Sequence, residues 1–205
     1  HPPYNADVVS LADGFTVARP DGSFQELRLP ATPDDDKDRK RNSRKYDRLQ
    51  NGQSWRLGSI TPTTTPARYA GRLVAGTANG RVHAVADNGV YLWNFATGGR
   101  VYSSPVPDGD DVYFGADDGK LYKVDIDSGI LLWEFATGGK IRGGPALWKR
   151  TVIAPSWDGN LYAVNADTGK LRWKSPIAAY TRCSPAVHDG RVYIGDEQGA
   201  LHCLD

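Results

Sequence analysis

Four stretches of this chain restate one another almost in register, and that repetition limits the possible folds more than any single residue does. DGNLYAVNADTGKLRW (158–173) repeats DGKLYKVDIDSGILLW (118–133), which repeats NGRVHAVADNGVYLW (79–93), and a shortened copy, QGALHCLD, closes the sequence. Trp93, Trp133 and Trp173 stand 40 residues apart, and Gly80, Gly119, Gly159 and Gly199 recur at spacings of 39, 40 and 40. The prolines at 66, 105, 145 and 185 keep the same rhythm. A fixed period of this size marks a repeat architecture, in which one supersecondary unit buries its faces only by stacking on copies of itself.

Each unit reads as strands. In residues 100–139, runs of β-branched and aromatic residues are separated by Asp-Gly, Ser-Gly and Gly-Gly pairs, which supply the positive φ that tight hairpin turns need. No stretch of helical period interrupts them. Four short strands in every 40 residues predict an all-β propeller, or an arc of one, built from four-stranded antiparallel blades. The sequence divides into a degenerate N-terminal blade over 1–69 and repeats over 70–109, 110–149, 150–189 and, in part, 190–205. The N-terminal unit reads as three strands over 7–30 without an innermost one, and the last unit as lacking its outermost strand. The array is therefore expected to start and stop in mid-blade: either its two partial blades close a small ring of their own, or, as the exposed blade faces favour, it belongs to a larger ring closed by a second copy or by the rest of a precursor. Zero methionines, with histidine at position 1, mark the chain as a processed or partial product.

Those repeats resemble a known family. VYFGADDGKLYKVDIDSGILLWEFATGG (112–139), VIAPSWDGNLYAVNADTGKLRW (152–173) and VYIGDEQGALHCLD (192–205) are similar to the pyrroloquinoline-quinone-like β-propeller repeats, strongly over 70–205 and weakly before. The rival tryptophan-aspartate repeat fits poorly: Trp157-Asp158 sits in a turn where the other copies have Ala78-Asn79, Asp117-Asp118 and Glu197-Gln198.

Composition narrows the functional classes. A net charge of +1 gives no reason to expect nucleic acid or an acidic membrane surface, and no apolar run is long enough for a membrane-spanning helix. Residues 33–53 carry seven basic and five acidic side chains and predict a solvated loop or short exposed helix, either a tolerated insertion or a docking element. His83 and His202 fill the slot of Tyr122 and Tyr162, so they read as packing residues rather than metal ligands. VDIDSG (124–129) and VNADTG (164–169) place glycine too early for a calcium loop and read as turns. Cys183 and Cys203 are expected to be two separate free thiols.

The site candidates lie just before the recurrent prolines, in a layer expected to line the central channel: Thr64, Ser103, Ser104, Arg142 and Arg182, the two arginines being able to hold an anion. Trp93, Trp133 and Trp173 are expected to wedge between blades with equal burial, and Gly80, Gly119, Gly159 and Gly199 to be structural anchors. The resemblance implies a non-catalytic scaffold for protein binding or assembly, of the type found in the outer-membrane β-barrel assembly lipoprotein, with no cofactor and no metal. Its partner would be a protein or the remainder of the propeller, and its location periplasmic or extracellular. The alternatives are part of a quinoprotein dehydrogenase, whose vicinal cysteine pair is missing here, or a propeller appended to a larger enzyme or sensor.

Overall fold

The computed structural model describes residues 62–177 and 180–205, together with the backbone of four strands before them: Val8–Leu11 (β1), Gly14–Ala18 (β2), Ser23–Arg28 (β3) and Ser54–Arg56 (β4). These four form one antiparallel sheet in chain order. The first blade thus has four strands where the sequence reads as three, and its innermost strand, β1, lies against the next blade. Ser54–Arg56 is hidden in the sequence because the charged segment separates it from the strand it pairs with. That segment, 33–53, lies outside the described residues.

The second blade comprises Ala67–Tyr69 (β5), Arg72–Gly76 (β6), Arg81–Ala86 (β7) and Tyr91–Ala96 (β8). The third comprises Val106–Asp108 (β9), Asp111–Gly115 (β10), Lys120–Asp125 (β11) and Leu131–Ala136 (β12). Ala146–Trp148 (β13), Thr151–Ser156 (β14), Asn160–Asn165 (β15) and Leu171–Pro176 (β16) make the fourth. Ala186–His188 (β17), Arg191–Gly195 (β18) and Leu201–Leu204 (β19) form a three-stranded sheet. No helix occurs among the described residues. Innermost strands meet, β5 against β9 and β13 against β17, so the strands radiate from an axis as blades.

The innermost strands begin after the recurrent prolines. Proline has no N–H to give a ladder, so the residues preceding it become the connection arriving from the previous blade. Pairing from third to fourth strand shifts register at the same repeat position in three blades, at Ala84/Val85, Lys123/Val124 and Ala163/Val164. Each bulge adds twist to the outer half of its blade.

The core lies between blades rather than within one. Val112 and Phe114 of β10 pack with Val74, Val82 and Trp93 of the second blade, while Tyr113, between them in sequence, packs with Val152 and Val164 of the fourth. Successive side chains leave a strand on opposite faces, and here both faces are covered. Tryptophan closes two of the seams. The Trp93 indole, 7% exposed, donates from Nε1 to the Ile126 carbonyl at 2.9 Å, and Trp133 donates to Ala166 at 3.0 Å. Gly129 and Gly169 complete the fit: both have positive φ, and a Cβ at either would stand 2.6 or 2.9 Å from an indole carbon. Trp173 departs from the expected equivalence. It is 38% exposed and meets no such carbonyl among the described residues.

A second clasp recurs at the opposite ends of the blades. The Tyr122 hydroxyl donates to Asp118 at 2.5 Å, and the same carboxylate accepts the Gly98 amide of the preceding blade at 2.7 Å. Tyr162, Asp158 and Gly138 repeat it at 2.5 and 2.9 Å. Burial opposes the Asp158 charge, but hydrogen bonds from Tyr162, Asn160 and Gly138 outweigh it and hold the carboxyl below its ordinary range. Hydrogen bonds to a charged group contribute about 1.5–3 kcal/mol, so Tyr162→Phe is expected to lower stability by that amount in denaturant titration. The anchor glycines sit in these turns, with φ of 80, 80, 81 and 84° at Gly80, Gly119, Gly159 and Gly199, as the left-handed turn position requires.

Candidate functional site

Strand direction alternates within a blade, so the turns between second and third strands share one face with the connections between blades. Backbone hydrogen bonds join the two: Asp117 N to Arg100 O at 2.8 Å, and Trp157 N to Lys140 O at 2.9 Å. Most of the residues expected to line the channel arrive on this face, and the structure sorts them. Thr64 and Ser103 are buried, 3% and 0% exposed, and accept the amides of Gly76 and Gly115 at 2.9 Å. Their hydroxyls secure the blade instead of facing the channel. Ser104 is partly buried, with its carbonyl against Gly144 of the next blade.

Arg142 and Arg182 converge, but on a residue the sequence reading used only to dismiss a rival family. Trp157 lies in the turn between β14 and β15, and its indole is the hub of a cluster. The Arg142 guanidinium stands 4.3 Å from the indole centroid and 4.7 Å from that of Tyr102. Arg182 and Lys140 approach the indole at 5.6 Å, and the Tyr180 ring lies 5.1 Å away. Trp157 Nε1 donates to the Thr181 carbonyl at 3.0 Å, which fixes the ring between two blades. Cations over an indole face are attracted by its quadrupole.

The three cations differ in how much of their charge is already used. Arg142 grips Asp117 with two hydrogen bonds of 2.7 Å, and this raises its pKa further. That pairing leaves little positive charge for the anion the sequence assigns to it. Lys140 and Arg182 reach carboxylates only at 3.8 Å, from Asp117 and Glu197, beyond hydrogen-bond range. Their side chains are 47% and 61% exposed. The result is an aromatic shelf with two solvent-facing cations whose ion pairs are long.

The signal for this shelf was present in the repeat. Sibling turns hold Ala78, Asp117 and Glu197 where this one holds Trp157, so the blade does not need an indole there. A residue the fold does not require is a candidate for function.

The residues do not fit a quinone with calcium. Cys183 and Cys203 are separate free thiols rather than a vicinal pair, Asp117 is tied to Arg142, and no group of three metal-ligating side chains converges among the described residues. No helix among the described residues is long and apolar enough to cross a membrane.

The family model described as outer membrane protein assembly factor BamB matches residues 42–205. BamB from Moraxella catarrhalis is similar in structure, with a TM-score of 0.76 at 21% identity over 99% of this chain and 58% of that one. The computationally designed Ika8 protein gives 0.76 at 17% identity, over 96% of this chain and 56% of its own. The designed Ika4 protein gives 0.65 at 20% identity, over 71% and 91%. This chain therefore spans less than two thirds of the length of the first two. At such identities the likeness shows the fold, a β-propeller. No curated protein matches the chain.

Proposed function

The chain belongs to the family of outer membrane protein assembly factor BamB, and from that premise we propose that it is a non-catalytic propeller scaffold that binds proteins through the shelf around Trp157. The observation that carries this reading is the indole flanked by Lys140 and Arg182, two exposed cations with no carboxylate in hydrogen-bond range. An extended segment bearing carboxylates complements it: the chain of the segment lies on the aromatic surface and its acids meet the ammonium and guanidinium groups. Aromatic and arginine anchors dominate interface energetics in this way.

In this reading the partners are proteins. One brings the acidic segment, and another polypeptide, a second copy or further chain, extends the ring. In this reading the chain divides by its repeats, with the residues before β5 as a first blade and the insertion at 33–53 as an accessory element. The location is the periplasm, in association with the outer membrane, which the family description supports.

Peptide arrays of acidic, neutral and basic extended segments test the reading. Acidic segments should be retained by the chain, and Trp157→Ala should weaken retention at least tenfold while the protein stays folded, with a smaller loss of stability than Trp93→Ala. Equal retention of all three classes, or of acidic segments by Trp157→Ala, would contradict it.

A further inference from the structure

The tyrosine–aspartate clasp is absent from the second blade, and what replaces it has a different chemistry. The slot of Tyr122 and Tyr162 holds His83, and the slot of Asp118 and Asp158 holds Asn79. His83 is 5% exposed, and its Nε2 has no hydrogen-bond partner. Its Nδ1 meets only the Tyr91 hydroxyl, at 3.3 Å. Asn79 cannot answer for the missing carboxylate, because an amide carries no charge; its side-chain oxygen lies 2.5 Å from the Thr77 hydroxyl. Around the ring stand Arg81 on its own strand, Tyr91 and Asn94 on β8, and Ala75 opposite it on β6. Among the described residues these bring one positive charge, Arg81, and no negative one.

The last blade makes the opposite arrangement. His202 occupies the same slot, but its Nε2 lies 2.8 Å from Asp196, whose carboxylate is 1% exposed. That contact, with amides from Ala200 and Gln198, holds the Asp196 carboxyl below its ordinary range. One histidine slot has a carboxylate partner and the other has none.

We infer that the second blade is an acid-sensitive latch: a proton taken up at His83 leaves an unpaired cation inside the blade beside Arg81 and loosens β7 against β8, while the third and fourth blades keep their clasps. The physical basis is the cost of burying a charge without a partner. Burial, with Arg81 second, holds the imidazole below its ordinary value of 6.5. The unfolded chain therefore takes the proton first. Stability from this group is complete above about pH 6.5 and is lost as pH falls below it.

Native-state hydrogen exchange tests the latch, with the third blade as internal reference. After correction for intrinsic rates, protection of Val82–Val85 should fall between pH 7.5 and pH 5 by up to about tenfold per pH unit below 6.5. Leu121–Val124 should show no such fall. His83→Phe, and separately the double change Asn79→Asp with His83→Tyr, should remove the difference between the blades. A parallel fall in both blades, or persistence of the difference in His83→Phe, would overturn the inference. Should neither variant fold, titration of the His83 ring by NMR in the unaltered chain decides: a midpoint below 6.5 agrees, and one at or above 6.5 overturns it.

Discussion

Trp93→Ala is expected to destabilise the protein by about 3–5 kcal/mol, the cost of deleting a large buried aromatic. The indole fills the seam between the second and third blades, donates to the Ile126 carbonyl and packs against the bare Cα of Gly129. Its removal opens a cavity in a core shared by two blades and leaves a carbonyl without its donor. The control lies in the same repeat position. Trp173→Ala should cost less than about 1 kcal/mol, in line with the small effects of substitution away from the core. Chemical denaturation of the two variants measures the contrast, and equal losses would refute the seam assignment.

Gly115→Val should be more disruptive still and is expected to prevent folding of the third and fourth blades as a unit. A Cβ on Gly115 would stand 2.1 Å from the Ile141 Cγ2 and 2.5 Å from its Cβ. Ile141 is fully buried where the connection enters the fourth blade, so neither group can retreat. Overpacking by even a methylene or two costs about 1–3 kcal/mol, and this contact is far inside van der Waals range. Gly195, the equivalent residue in the last blade, has its nearest neighbour, Cys183 Sγ, at 3.7 Å. Gly195→Ala should therefore be tolerated, with a change in melting temperature of no more than a few degrees. Expression and thermal unfolding of the two variants distinguish a seam-specific requirement from a general preference for glycine in strands.

The blades were legible in the sequence because their determinants are local and repeated. Asp-Gly and Ser-Gly turns, alternating Val, Leu and Tyr, and a tryptophan at the same position in three units each point to the same strand plan. Where the reading failed, the determinant was not local. Thr64 and Ser103 look like channel residues from their place before a proline, but their burial depends on the amides of Gly76 and Gly115 in the following strand. Trp173 carries the same repeat signature as Trp93, yet it is 38% exposed. The fourth strand of the first blade is three residues long and sits beyond a charged segment, too short for periodicity to reveal. The shelf was half legible. Arg142 and Arg182 were found by their repeat position, whereas Trp157 becomes informative only by comparison with Ala78, Asp117 and Glu197 in the sibling turns. That Arg142 spends its charge on Asp117, 25 residues away, is a matter of inter-blade geometry.

The indole N–H resonance of Trp157 gives the most direct test of the scaffold reading, because that group is tied to the Thr181 carbonyl at the centre of the shelf. Its NMR signal should shift on titration with an acid-rich extended peptide, together with the amides around Lys140, Tyr180 and Arg182, while the indole signals of Trp93 and Trp133 in the blade seams stay in place. The shift should disappear at high salt, which screens exposed charges. Binding that leaves the Trp157 signal unmoved and perturbs the turns of the opposite face would contradict the account, as would stoichiometric binding of pyrroloquinoline quinone and calcium at the shelf.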